Sequence, residues 1–146
     1  MEKRINIQLA EPAAYKAMFA LEGYLASVSI SKTLKELIKV RASYINDCAF
    51  CINMHTKDAL KYGETTQRLF LLNAWRETSL FTDEEKTVLA MTEEITLISQ
   101  KGLTDETYSN AKKYFNEQEI AQIIMAIVTI NAWNRIAVST NKEIED

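Results

Sequence analysis

The chain has 146 residues, 47% of them apolar and 25% charged, and carries a net charge of −3. That length suits one domain over 1–146 with a core large enough to need no staples, and the composition excludes disorder as the starting assumption. Lys and Arg are scattered among more numerous acids, which excludes nucleic acid or an anionic membrane as the main partner. Met1-Glu2-Lys3-Arg4 leads into no apolar signal core, and no uninterrupted apolar run is long enough to span a bilayer. The expected location is therefore the cytoplasm. In that reducing compartment a cysteine pair points to catalysis or metal binding rather than to a structural staple.

One proline and three glycines leave too few chain breakers for a β-sandwich, and apolar residues recur at helical spacing throughout. Pro12 suits the first turn of a helix carrying Tyr15, Met18, Phe19 and Leu25 inward. A second helix, about Ser31 to Ile45, has Leu34, Leu37, Ile38 and Ile45 on one stripe. Asn46-Asp47 reads as a turn, with Asp47 capping a third helix that carries Cys48, Cys51, Ile52, His55, Ala59 and Tyr62 and stops at Gly63. A fourth helix starts near Thr65 with Leu69, Leu72 and Trp75 inward. Thr82-Asp83-Glu84-Glu85 has capping-box form and opens a helix with Val88, Leu89, Ile95 and Ile98 that ends before Gly102. A short helix follows Thr104. Asn116 to Glu119 opens a last helix, apolar on nearly every side through Ile123, Ile124, Ile127, Val128, Ile130 and Trp133, and so expected at the centre or at a subunit contact. The predicted fold is all-α, a single helical bundle of about seven helices.

Both cysteines and the single histidine fall within Cys48-Ala49-Phe50-Cys51-Ile52-Asn53-Met54-His55. At about 100° per residue they share a sector of about 60° on one helix face, and the four-residue step from Cys51 to His55 stacks imidazole over thiol. The first helical turn, with its unpaired N–H groups, favours thiolate, and the histidine offers a base. A CxxC pair can close a small disulfide ring, as in thioredoxin-like redox sites. A thiolate beside a base is suited to attack the O–O bond of a peroxide, giving a sulfenic acid that the second cysteine condenses into a disulfide.

Glu36, Cys48-x-x-Cys51 and His55, in this spacing, resemble the core motif of the alkylhydroperoxidase D-like proteins within the carboxymuconolactone decarboxylase superfamily. The resemblance spans about residues 34–62. It continues through Trp75-Arg76-Glu77 and Asn131-Ala132-Trp133-Asn134-Arg135. It implies that peroxide oxidises Cys51, that Cys48 resolves it, and that His55 with Glu36 relays protons through water. It also implies an all-helical homo-oligomer (dimer, trimer or hexamer), a hydroperoxide substrate and no cofactor. A thiol reductant is implied too, with lipoyl, thioredoxin-like and low-molecular-weight donors all compatible. The best-known pattern has a second histidine between the cysteines, where this chain has Phe50, which bears on the reductant and the rate.

Several residues have structural readings beside the functional ones. Thr33-Leu34-Lys35-Glu36 has the form of a capping box, which would give Glu36 a purely local role. His55 shares its face with Ile52 and Ala59, as a satisfied core histidine would, but one placed four residues after a CxxC pair is not a lone histidine. Arg41 lies on an apolar stripe, where it should pair with an acid in the core or at an interface. Trp75 and Trp133 read as core, and Asn131 and Asn134 as pocket lining or helix caps. Among whole-protein alternatives, Cys48, Cys51, His55 and Glu36 form a conceivable zinc set, although structural zinc sites usually draw cysteine pairs from separate turns. A non-redox decarboxylase would not need the second cysteine, and a redox sensor would form the disulfide without turnover.

Overall fold

The computed structural model describes residues 2–144; the single domain expected over 1–146 also includes Met1, Glu145 and Asp146, which lie outside the described residues. All regular structure among the described residues is helical: α1 (Ile7–Ala10), α2 (Pro12–Ser27), α3 (Lys32–Ile45), α4 (Ala49–Lys61), α5 (Thr66–Leu71) continued by a 3₁₀ segment (Leu72–Glu77), α6 (Asp83–Thr96), α7 (Asp105–Ala111) and α8 (Glu117–Ser139). The sequence suggested about seven helices. The extra one, α1, is a single turn capped by the Asn6 side chain, too short to leave a periodic signature.

Local chemistry starts and stops these helices where the sequence marked them. Thr82 and Asn116 form full capping boxes with Glu85 and Glu119, each cap contributing about 1 kcal/mol. Gly63 follows α4 with φ +98°, a conformation open to glycine at no steric cost. Not every expectation holds: Tyr62, expected on the inner face of α4, lies just past its end and is exposed. α6 ends at Thr96, so Ile98 falls outside the helix and is exposed. Phe19 points away from the core and is 53% exposed, because it belongs to the cavity rim described below.

The bundle is organised around α3 and α8. Leu34, Ile38 and Ala42 of α3 pack with Val88, Met91, Ile123, Ile127 and Ile130 in the larger core. Leu37 and Val40, on another face of α3, pack with Ala59, Leu69, Leu72, Trp75 and Leu89 in the second. α3 is thus clamped on two faces. Helix α8 touches α2, α3, α4 and α6. It is long and apolar enough to cross a membrane by length and composition, but half of its most apolar window is buried inside the bundle. A central helix needs apolar residues on several sides, and this accounts for the pattern.

Candidate active site

Helices α3 and α4 form a hairpin across a tight turn at Asn46–Asp47, and residues about equally far from the turn meet. Asp47 takes φ +52°, a left-handed conformation that Asp tolerates better than most residues. It does not cap α4. The N-cap is Cys48 itself, whose Sγ accepts the Cys51 backbone N–H at 3.3 Å. The backbone of Cys48 is tied back by donation of its N–H to the Ser43 carbonyl at 3.0 Å. Cys48 and Cys51 are joined as a disulfide, with Cα atoms 5.3 Å apart, within the ordinary range. Both are nearly fully buried, and Cys51, unlike Cys48, is among the residues lining the cavity described below.

On the facing helix, Glu36 brings its buried carboxylate to His55, whose Nδ1–H donates to Glu36 Oε2 at 3.0 Å. A carboxylate only accepts, so the ring proton belongs on Nδ1 and Nε2 is left as the basic nitrogen. Among the described residues no hydrogen bond joins His55 to either sulfur. The capping-box reading of Glu36 does not hold, because Ser31 is the N-cap of α3 and accepts from Leu34 N–H at 3.1 Å. Glu36 Oε1 instead accepts from the Lys39 ammonium at 3.1 Å. Lys39 was not singled out in the sequence, although its i,i+3 spacing from Glu36 was a usable signal. Beside it, Lys35 is buried and donates to the Leu25 carbonyl at 2.7 Å. Burial, and then the neighbouring Lys39 charge, push the Lys35 pKa down.

The cavity, about 330 Å³ in volume, reaches Cys51 and His55. Its outer wall is an aromatic trio: Tyr15 packs edge-on to Phe19 at 5.7 Å and to Trp133 at 5.3 Å. Phe50 and Met54 from α4, and Ile136 and Ala137 from α8, add further apolar lining. Trp133 is half-buried: it packs against the larger core, as expected, and also lines the cavity, with its indole N–H donating to Glu22 Oε1 at 2.9 Å. Trp75 is core, as expected.

The remaining polar candidates hold the frame. Asn46 donates to the side-chain oxygens of Asn131 (3.0 Å) and Asn134 (2.9 Å), and Asn134 donates to Ser43 Oγ at 3.0 Å. The two asparagines of α8 thus lock the turn that carries Cys48; they neither line the cavity nor cap a helix. Arg41 meets Glu93 Oε1 through Nε (3.1 Å) and Nη2 (2.9 Å). Burial alone would push the Glu93 carboxyl up, but donors from Trp75, Arg76 and Arg41 outweigh it and hold its pKa below the ordinary value. As for metals, Glu36, His55 and Asp58 place ligand atoms within 4.8 Å of one another. The carboxylates of that group are already answered by Lys39 and Lys61 at 3.1 Å each. The zinc set of Cys48, Cys51, His55 and Glu36 is not assembled in this oxidised state, since the sulfurs are bonded to each other.

Residues 12–94 match the carboxymuconolactone decarboxylase family. The uncharacterized protein YdfG of Bacillus subtilis (strain 168) is 42% identical over 139 residues, covering 95% of each chain. A crystal structure from Agrobacterium tumefaciens, of a protein of unknown function offered as an antioxidant defence protein AhpD, is 38% identical. It superposes with a TM-score of 0.95 over 99% of each chain. The debrominase Bmp8 shares the fold at 19% identity, with a TM-score of 0.82 over 93% of this chain and 73% of that one.

Proposed function

The chain belongs to the carboxymuconolactone decarboxylase family as an alkylhydroperoxidase D-like member, and from that premise we propose that it is a thiol-dependent peroxidase reducing hydrogen peroxide or organic hydroperoxides. The observation that carries the reading is the placement of Cys51 on the cavity wall, one turn before His55, with Cys48 bonded to it. Substrate entering the cavity meets Cys51 and not Cys48, so Cys51 is assigned as the attacking cysteine. Cys48 sits at the helix N-terminus, where the Cys51 N–H and the helix dipole stabilise a thiolate and so favour it as the resolving partner.

The chemistry balances without a cofactor. The Cys51 thiol passes its proton through a water to His55 Nε2, with which it shares no hydrogen bond in the disulfide form. The thiolate attacks one peroxide oxygen, the O–O bond breaks, and the leaving alkoxide or hydroxide takes the proton back from His55. Cys51 is then a sulfenic acid. Cys48 attacks its sulfur, forming the disulfide and releasing water. Two electrons have left the dithiol, one hydroperoxide has become an alcohol (or water), and two external thiol groups restore the dithiol by exchange. Glu36 holds the imidazole in the required tautomer. The donor belongs to the thiol class, whether lipoyl, thioredoxin-like or low-molecular-weight, and the working unit is a homo-oligomer. A non-redox decarboxylation would leave Cys48 without a task.

The test is steady-state turnover. With dithiothreitol as donor, the purified protein should consume cumene hydroperoxide or hydrogen peroxide at a rate proportional to enzyme and abolished in Cys51→Ser. Consumption no faster than the uncatalysed background for either peroxide would defeat the proposal.

A further inference from the structure

Glu36 is a buried carboxylate with both oxygens engaged, one by His55 and the other by Lys39. Lys39 extends on to Glu22 Oε2 at 4.0 Å, and Glu22 Oε1 accepts the Trp133 indole N–H. A line of polar contacts therefore runs from the aromatic wall of the cavity to the imidazole beside Cys51. Facing a neutral imidazole alone, a carboxylate this buried would be an uncompensated charge, and such charges are avoided in protein interiors. Lys39, whose side chain is only 14% exposed, supplies the missing positive charge.

We propose that Lys39 is a positioning residue of this site, acting through Glu36 to hold His55 in its basic form and to ease formation of the Cys51 thiolate. The proposal rests on the peroxidase reading only for the identity of the oxidant. The sign follows from charge. In the thiolate that an alkylating probe reads, the proton has left the site for solvent, so the site carries one positive charge less than in the thiol form, and a fixed positive charge alongside favours that loss. The other charged or titratable groups facing the assembly are Glu22 and Tyr15 from α2, Lys35 from α3, Cys48 and Asp58 from α4 and its cap, and Lys142 beyond α8. α8 itself faces it with Trp133, Ile136 and Ala137, which carry no charge. Among the described residues, Lys39 is the ammonium in hydrogen-bond contact with Glu36.

The test is the pH profile of iodoacetamide alkylation at Cys51 in reduced, full-length Cys48→Ser protein, which reads thiolate formation without any peroxide. Lys39→Met should move the profile upward by about one pH unit, with about tenfold slower alkylation on its acid side and the same plateau at high pH. Lys39→Arg should return the profile toward the parent. Lys39→Gln replaces the Met variant if that protein fails to fold. Superimposed profiles for the three proteins, or an equal loss at every pH, would overturn the assignment. A shifted profile in protein whose parent consumes no peroxide would leave the Lys39 role standing and remove the peroxidase reading instead.

Discussion

Replacing His55 by alanine perturbs the site at its proton acceptor while leaving both sulfurs in place. In His55→Ala, Glu36 Oε2 loses its donor, Oε1 keeps Lys39, and the small space opened joins the existing cavity. Two contributions to rate disappear together. An ordinary thiol with a pKa of about 8.5 is about 3% ionised at pH 7, so loss of the base costs up to about 30-fold through ionisation alone. Loss of proton delivery to the departing oxygen brings the total to about 10²–10⁴-fold, the usual range for a general acid–base group. The two parts separate with pH. Near pH 10 the thiol ionises unaided, so about 30-fold of the defect should return while the remainder persists. Stopped-flow fluorescence can follow the reaction, because Trp133 lines the cavity and Trp75 does not. A defect of one size at every pH would refute the acid–base role, and a defect under about threefold at pH 7 would remove His55 from the chemistry.

Cys48→Ser should react with peroxide once and leave a dimedone-trappable sulfenic acid at Cys51, whereas Cys51→Ser should not react; the adduct appearing on Cys48 instead would exchange the two roles. Glu93→Gln should lower stability at pH 7 by about 1–3 kcal/mol, because Arg41, Arg76 and Trp75 all donate to the carboxylate. Since the folded-state pKa of Glu93 is depressed, its contribution is full above the ordinary carboxylate value of 4.5 and is lost as pH falls through the folded value. The difference between parent and Glu93→Gln in urea unfolding should therefore shrink on acidification, and a constant difference would contradict that reading. Val128 and Val138 of α8 stand 43% and 46% exposed, although half of the helix's most apolar window is buried in the bundle, and an interface covering them is expected. Light scattering should give at least twice the chain mass of 16.7 kDa, against a clean monomer if the expectation fails.

Most of the helical frame was legible because its signals are local. The capping boxes at Thr82 and Asn116, the stop at Gly63 and the apolar stripes of α3 and α6 each rest on residues within a turn or two of one another. The Cys48, Cys51 and His55 cluster was legible for the same reason. Glu36 was not fixed by the residues alone: its spacing from Thr33 suits a capping box, and only the packing of α3 against α4 brings it to His55. Asp47 was a reasonable cap by residue type, but the turn needed a left-handed residue one position earlier than the cap. Phe19 and Trp133 satisfy a helical stripe as well as any core residue does. Their place on the cavity wall depends on how α2 meets α8, which periodicity within one helix does not encode. Lys39 reads as an ordinary surface charge until its neighbour proves to be buried.

The most direct measurement of the central claim is the mass of the fully reduced protein after one equivalent of hydroperoxide. The expected result is a loss of two hydrogens, no remaining free thiol, and a single intramolecular link between Cys48 and Cys51 on peptide mapping. Two thiols still titratable after treatment, with the mass unchanged, would contradict it.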